Sequence, residues 1–187
     1  MIDLSMHLMD IVQNSIRANA KTIDIMFEEK TKEQILTFVV HDDGMGMNKE
    51  MLKKMDDPFF TTRTTRKIGL GVPLLKMTCE QTGGSFEVKS ELKTGTTVKA
   101  VYRTDHPDCL PLGDITGTLA LLLKANPEIR FRVLYRFDDD KFRFDSDEMK
   151  QLGIDLNTPE MLCALKEFFI SNFNDLFRKR PLGSYLC

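Results

Sequence analysis

Three stretches of this 187-residue chain gather residue types that can do chemistry. In residues 39–47, VVHDDGMGM, an apolar run ends in the acidic pair Asp42-Asp43, then in Gly44 and Gly46, spaced for a tight backbone turn. Upstream, His7, Asp10, Asn14 and Arg17 recur at spacings of three and four, which places them on one side of a helix. A carboxylate, an amide and a cation in that order are the set a metal-bound phosphate group would use. The same stripe also reads as a solvated helix face. Downstream, Gly69-Leu70-Gly71 closes an aperiodic segment, and Pro73 follows at a position suited to a first helical turn.

Regular elements must position these residues. Residues 4–20 pattern as an amphipathic helix in which Leu4, Leu8, Ile11, Val12, Ser15 and Ala18 share an apolar or small face, opposite the stripe. Residues 22–27 and 34–40 alternate with period two around a charged EEKTKE turn, an antiparallel hairpin whose second strand runs into Asp42. Asn48 is placed to cap a short helix carrying Met51, Leu52 and Met55. Residues 57–68, DPFFTTRTTRKI, have no periodicity and read as a mobile loop. A helix through Glu80 is stopped by Gly83-Gly84, and residues 85–91 and 96–103 form a second hairpin around Lys93-Thr94-Gly95. The order helix, hairpin, helix, loop, helix, hairpin predicts an α+β fold, a two-layer sandwich with helices on one face of a mostly antiparallel sheet.

The composition shifts near Thr104, where DHPDCLPLG reads as a linker between residues 1–104 and a smaller α/β C-terminal appendage, residues 105–187. There the pattern predicts a helix over 114–125 capped by Asp114, a strand over 129–137, a return strand over 142–144, and a helix over 161–177 capped by Thr158. The apolar residues of the last helix (Leu162, Leu165, Phe168, Phe169, Phe173, Leu176) exceed a narrow stripe, which fits packing on its own domain, a partner surface or a homodimer surface.

Hydrophobic residues make up 42% and charged residues 29%, an ordinary globular balance. A net charge of −2 creates no global basic field, so no nucleic-acid partner is implied. No run of 18 apolar residues and no signal segment is present, so no membrane partner is expected. Cys79, Cys109, Cys163 and Cys187 are scattered without a CxxC pair, as in a reduced, cytoplasmic chain. His7, His41 and His106 are isolated and read as surface or hydrogen-bonded residues rather than ligands. The phosphate loops GxxxxGK[ST] and GxGxxG and the protein-kinase HRD and DFG motifs are absent.

Taken together, the three stretches resemble the N, G1 and G2 boxes of the GHKL ATPases, the superfamily of gyrase, heat-shock chaperone, histidine kinase and MutL. The N box spans Asp10 to Arg17, the G1 box Asp42 to Met47, and the G2 box Gly69, Leu70, Gly71 and Val72. Pro58 to Thr62, PFFTT, resembles the segment before the histidine-kinase lid, and Gly95-Thr96-Thr97 the family's strand-start threonine. The resemblance covers residues 1–104 and implies the Bergerat ATP-binding fold with ATP and Mg²⁺ as cofactors.

The resemblance also implies roles. Asn14 ligates Mg²⁺ through its amide oxygen, and Arg17 reaches a phosphate. Asp42 accepts a hydrogen bond from the adenine amino group, Gly44 and Gly46 let the backbone approach the base, and Met47 packs on it. Gly69 and Gly71, with Leu70 and Val72, open a helix whose free N–H groups hold phosphate oxygens. Thr96 supports the adenine through Asp42 or a water. Asp43, at the variable position of the box, faces solvent or forms the turn. Phe59 and Phe60 read equally as core or site residues, and Arg63, Arg66 and Lys67 as a lid over the triphosphate or a solvated charge run.

At Asp10, where several relatives have Glu and histidine kinases often have Asn, the carboxylate is one methylene short. It reads as a weak general base or as a group acting on Mg²⁺ from outside its ligand shell, and rapid hydrolysis is not expected. Because the sequence starts almost at the N box, phosphorylation of a histidine hairpin of its own is not expected. The expected function is that of an Mg·ATP-binding regulatory protein. It would be a kinase acting in trans on a separate protein, as stand-alone anti-sigma-factor kinases do, or an ATP-operated switch with slow hydrolysis that binds a regulatory partner.

Overall fold

The computed structural model describes residues 3–54, 71–154, 158 and 160–178. Gly69 and Leu70, the PFFTT segment and the cations Arg63, Arg66 and Lys67 lie outside the described residues. The chain order is α1 (Leu4–Arg17), β1 (Thr22–Lys30), β2 (Ile35–Asp42), α2 (Lys49–Lys54), α3 (Gly71–Gln81), β3 (Ser85–Glu91), β4 (Gly95–Arg103), α4 (Ile115–Ala125), β5 (Arg130–Phe137), β6 (Asp140–Asp145), α5 (Ser146–Gln151) and α6 (Met161–Phe177).

The strands form one sheet of six in the order β3-β4-β2-β1-β5-β6. β1 pairs antiparallel with β2 and parallel with β5, and the other neighbouring pairs are antiparallel. One sheet face carries the buried row Ile23, Ile25, Phe27, Leu36, Phe38, Val40, Val98, Ala100, Phe131 and Val133. Against it lie the buried sides of α1, α3, α4 and α6, which gives the two layers expected from the alternation.

Residues after 104 share this sheet and core. β4, α4 and β5 make a crossover that returns the chain parallel to β1, and β5 pairs β1 from Thr22↔Arg130 to Glu29↔Phe137. The connection also satisfies α1, whose Leu4 and Ser5 N–H groups donate to the carbonyls of Pro111 and Leu112 at 3.0 Å each. Tyr135 stacks on Phe27 at a centroid distance of 5.6 Å and meets Phe173 of α6 at 5.1 Å, so the aromatic side of the last helix packs on its own sheet.

Local differences from the sequence reading have physical causes. β1 runs on to Lys30 because both neighbouring strands pair its charged end, and Glu29 is buried there with its carboxylate accepting from the Tyr135 hydroxyl. Asp114 caps α4 by accepting from Gly117 N–H at 2.8 Å, as expected. Thr158 does not cap α6 with its side chain: Glu160 is the N-cap, without a side-chain bond, and Thr158 supplies its carbonyl to Met161 N–H. His7 does not lie on a solvated face. It borders the apolar side of α1 and is fully buried against α3, with Nε2 3.4 Å from the Thr78 hydroxyl.

Candidate nucleotide site

Asp42 ends β2 and is 4% exposed. Both carboxylate oxygens are held by protein donors: Ser15 Oγ donates to Oδ2 at 2.6 Å and Gly44 N–H to Oδ1 at 2.9 Å. These charge-assisted bonds offset the cost of taking the carboxylate out of water and fix its plane. Asp42 pairs with Thr96 and Thr96 with Ser90, so the three side chains form one row across the sheet on the helix-facing side. The Thr96 hydroxyl lies 2.8 Å from Ser90 Oγ, which also accepts from Met47 N–H at 2.8 Å.

The loop after Asp42 is pinned between the end of α1 and the β3–β4 turn. Met45 N–H donates to the Ala18 carbonyl, and the Met45 carbonyl accepts from Lys93 N–H, both at 2.8 Å. A Cβ on Gly46, whose φ is +62°, would stand 1.9 Å from the Glu91 carbonyl oxygen, and one on Gly95 1.9 Å from that of Asp42. A Cβ on Gly44 would meet Ala18 at 2.8 Å. Here the missing side chains are required by the protein's own backbone crossings. Asp43 is exposed, as expected, and it also does more than shape the turn. Its Oδ1 accepts from Lys21 and Thr22 N–H at 2.7 and 2.9 Å, which ties the start of β1. Partial burial opposes ionisation of Asp43, but these bonds outweigh it and hold its carboxyl below the usual range.

α1 connects all three stretches. Its Ser15 reaches Asp42, its C-terminal Ala18 holds the glycine loop, and its Asp10 reaches α3. A Cβ on Gly71, the first residue of α3, would meet Asp10 Oδ2 at 3.0 Å. Further along the stripe, Arg17 Nη1 donates to Asn14 Oδ1 at 3.0 Å. Val72 is half-buried against the core. The structure sets Asp10, Asn14 and Arg17 along the second half of α1 with Gly71 against Asp10, and joins Asp42, Gly44, Gly46, Met47 and Thr96 around the end of β2, tied to α1 through Ser15 and Ala18. The sequence reading missed Ser15 and Ser90. Ser15 was visible as a polar residue on an apolar helix face, and Ser90 from the hairpin register opposite Thr96.

The donor set fits a magnesium ion that takes most of its ligands from phosphate and water. Among the described residues no group of three or more His, Cys, Asp or Glu side chains could hold a metal. Asn14 offers one hard oxygen on a half-exposed side chain, with the Asp10 carboxylate one turn away.

The layered fold with a buried carboxylate at a strand end, a glycine loop and a helix start beside an Asp-Asn-Arg stripe defines a nucleotide-binding domain of the histidine-kinase type. The family model described as histidine kinase-, DNA gyrase B- and HSP90-like ATPase matches residues 2–106, more than half of the chain, and the chain belongs to that family. It is 33% identical over 81 residues to the sensor kinase CckA of Brucella abortus, covering 43% of this chain and 9% of that protein. It is 36% identical over 97 residues to the sensor protein SrrB of Staphylococcus aureus, covering 48% and 16%. Among solved structures, the Aquifex aeolicus MutL ATPase domain complexed with ADP aligns with a TM-score of 0.56 at 13% identity, covering 88% of this chain and 70% of that one, a likeness of fold. The chain thus spans less than a fifth of the length of these two sensor proteins. No helix among the described residues is long and apolar enough to cross a membrane.

Proposed function

We propose that the chain binds Mg·ATP across the end of α1 and uses it as a protein kinase acting in trans on a separate partner. The observation that carries this reading is the Asp42 carboxylate, buried and fixed by Ser15 and Gly44 N–H where an adenine amino group can donate to it. A carboxylate accepts from an amino group and not from the carbonyl that guanine presents at that position, so adenine is preferred. Asn14 would offer its amide oxygen to Mg²⁺, and Arg17 would turn from Asn14 to a phosphate. The bound ion neutralises charge on the phosphates, and phosphoryl transfer of this kind depends on positioning more than on covalent chemistry from the protein. Asp10 is the carboxylate placed to accept a proton from an acceptor hydroxyl or water. In this reading residues 1–104 hold the nucleotide, residues 105–187 support that unit and meet the partner, and the protein works in the cytoplasm.

A second reading, an ATP-operated switch with slow hydrolysis, draws on the contact of α1 with α4 and with the 104–114 connection. The helix that meets the phosphates is thereby tied to the C-terminal part of the sheet. Titration of Mg·ATP and Mg·GTP against wild type, Asp42→Asn and Asn14→Ala tests the site. Asp42→Asn loses the preference for adenine and Asn14→Ala the magnesium-dependent part of the affinity, whereas equal affinities in all three proteins refute the assignment. Incubation with γ-labelled ATP and cellular interactors then separates the readings. Label on a partner protein supports the kinase, and released phosphate abolished by Asp10→Asn supports the switch.

A further inference from the structure

We infer that Ser90 is a positioning residue for the base end of the site, holding the glycine loop and the Thr96 hydroxyl together beside Asp42. The inference rests on the nucleotide reading above and assigns part of that site's base recognition to a residue outside its three sequence stretches. Ser90 is the last residue but one of β3 and pairs with Thr96, which in turn pairs with Asp42. The three side chains therefore stand in one row on the helix-facing side of the sheet. The loop after Asp42 crosses this row. A Cβ on Gly46 would stand 1.9 Å from the Glu91 carbonyl oxygen and 3.1 Å from that of Gly95, and Met47 N–H donates to Ser90 Oγ at 2.8 Å. Met45 meets Lys93 through backbone atoms, so among these contacts Ser90 supplies the side chain that latches the loop to the hairpin.

The Ser90 hydroxyl is fully committed. It has one proton and two lone pairs. The Gly95 carbonyl oxygen, 3.1 Å away, can only accept, so the proton goes there. Met47 N–H takes one lone pair. The remaining contact, with Thr96 Oγ1 at 2.8 Å, is then donated by Thr96 to the second lone pair. Ser90 thus fixes the Thr96 hydroxyl as well as the loop, and the Thr96 lone pairs are left for a donor on the base or a water. Asp42 is fixed separately, by Ser15 and Gly44 N–H. Without the Ser90 hydroxyl, Met47 N–H loses its acceptor and the Thr96 hydroxyl is free to turn. All three bonds of Ser90 stay within the glycine loop and the β3–β4 hairpin, so the loss falls on the base and not on the phosphates.

The test measures affinity for Mg·ATP and for magnesium tripolyphosphate, which carries the phosphates without a base, using the full chain as wild type, Ser90→Ala and Ser90→Thr. In Ser90→Ala the affinity for Mg·ATP falls about tenfold, while tripolyphosphate binding keeps its wild-type value. Ser90→Thr restores the hydroxyl and recovers most of the lost Mg·ATP affinity. Unchanged Mg·ATP affinity in Ser90→Ala, or a threonine variant as weak as the alanine one, overturns the inference and leaves the Asp42 site standing. An equal fall for tripolyphosphate assigns the loss to the fold as a whole and overturns it too. Failure of wild type to bind Mg·ATP at all removes the nucleotide reading itself, and this inference with it.

Discussion

Ser15→Ala removes one hydroxyl at the point where α1 meets the end of β2. In the structure that hydroxyl donates to Asp42 Oδ2 at 2.6 Å, between residues that are 2% and 4% exposed. A hydrogen bond to a charged group contributes about 1.5–3 kcal/mol net. Gly44 N–H still serves Oδ1, so the carboxylate keeps one anchor and loses the other. We expect a loss of about 2 kcal/mol in unfolding free energy, or a fall in Tm of roughly 4–8 °C for a chain of this size. Urea unfolding followed by circular dichroism gives the first number, with an unchanged slope showing that the unfolded state is not what moved. ATP titration of the same variant should show weaker binding, because Asp42 is then oriented by a single donor. A loss below about 0.5 kcal/mol together with wild-type ATP affinity would refute both the anchoring of Asp42 by Ser15 and the proposed use of that carboxylate for adenine.

Gly46→Ala meets both a φ of +62° and a carbonyl 1.9 Å from the new methyl, whereas Gly83→Ala has a φ of +76° and open space. Denaturation should show a loss above about 2 kcal/mol for the first and about 1 kcal/mol for the second, and equal losses would mean that the crossing at Gly46 relaxes freely. Burial pushes the His7 imidazole down from 6.5 to about 4, so the native state binds its proton later than the unfolded state does. The resulting stability is complete above pH 6.5 and is lost as pH falls toward 4, about 3 kcal/mol in full, and the difference between wild type and His7→Leu across that range measures it. Truncation after Thr104 uncovers the β1 edge that pairs β5 and removes the carbonyls serving Leu4 and Ser5. The fragment should show no cooperative thermal transition, and a sharp transition with intact Mg·ATP binding would contradict the structural role given to residues 105–187.

The local parts of the site were legible because each is written in a short stretch. The strand running into Asp42, the two glycines after it and the Asp-Asn-Arg stripe all depend on neighbours in sequence. What stayed hidden depends on distant partners. His7 sits at the edge of the helical wheel between Leu4 and Ile11, and only the position of α3 decides which side of that edge it takes. The reasons for Gly44, Gly46 and Gly95 were hidden likewise, since the backbones they accommodate come from Ala18, Glu91 and Asp42. The composition shift near Thr104 falls within one sheet, because alternation identifies a strand without naming its partner. The pairing of Thr22 with Arg130 spans most of the chain.

That pairing bears on how the nucleotide can influence anything else. β1 and α1 are each used twice. The end of β1 near Thr22 is tied to Asp43 of the glycine loop, and along its length β1 carries β5 as a parallel neighbour. α1 carries Asp10, Asn14 and Arg17 along its second half while its first residues hang from Pro111 and Leu112. A shift of α1 would act on the bonds to the 104–114 connection and on α4 as well as on α3 and β2. Packed cores resist continuous deformation, so such a shift transfers to the surface that α4 and α6 build together. If Mg·ATP binds as proposed, limited proteolysis or hydrogen exchange with and without it should change on the surface that α4 and α6 share, and an unchanged pattern there would break this link.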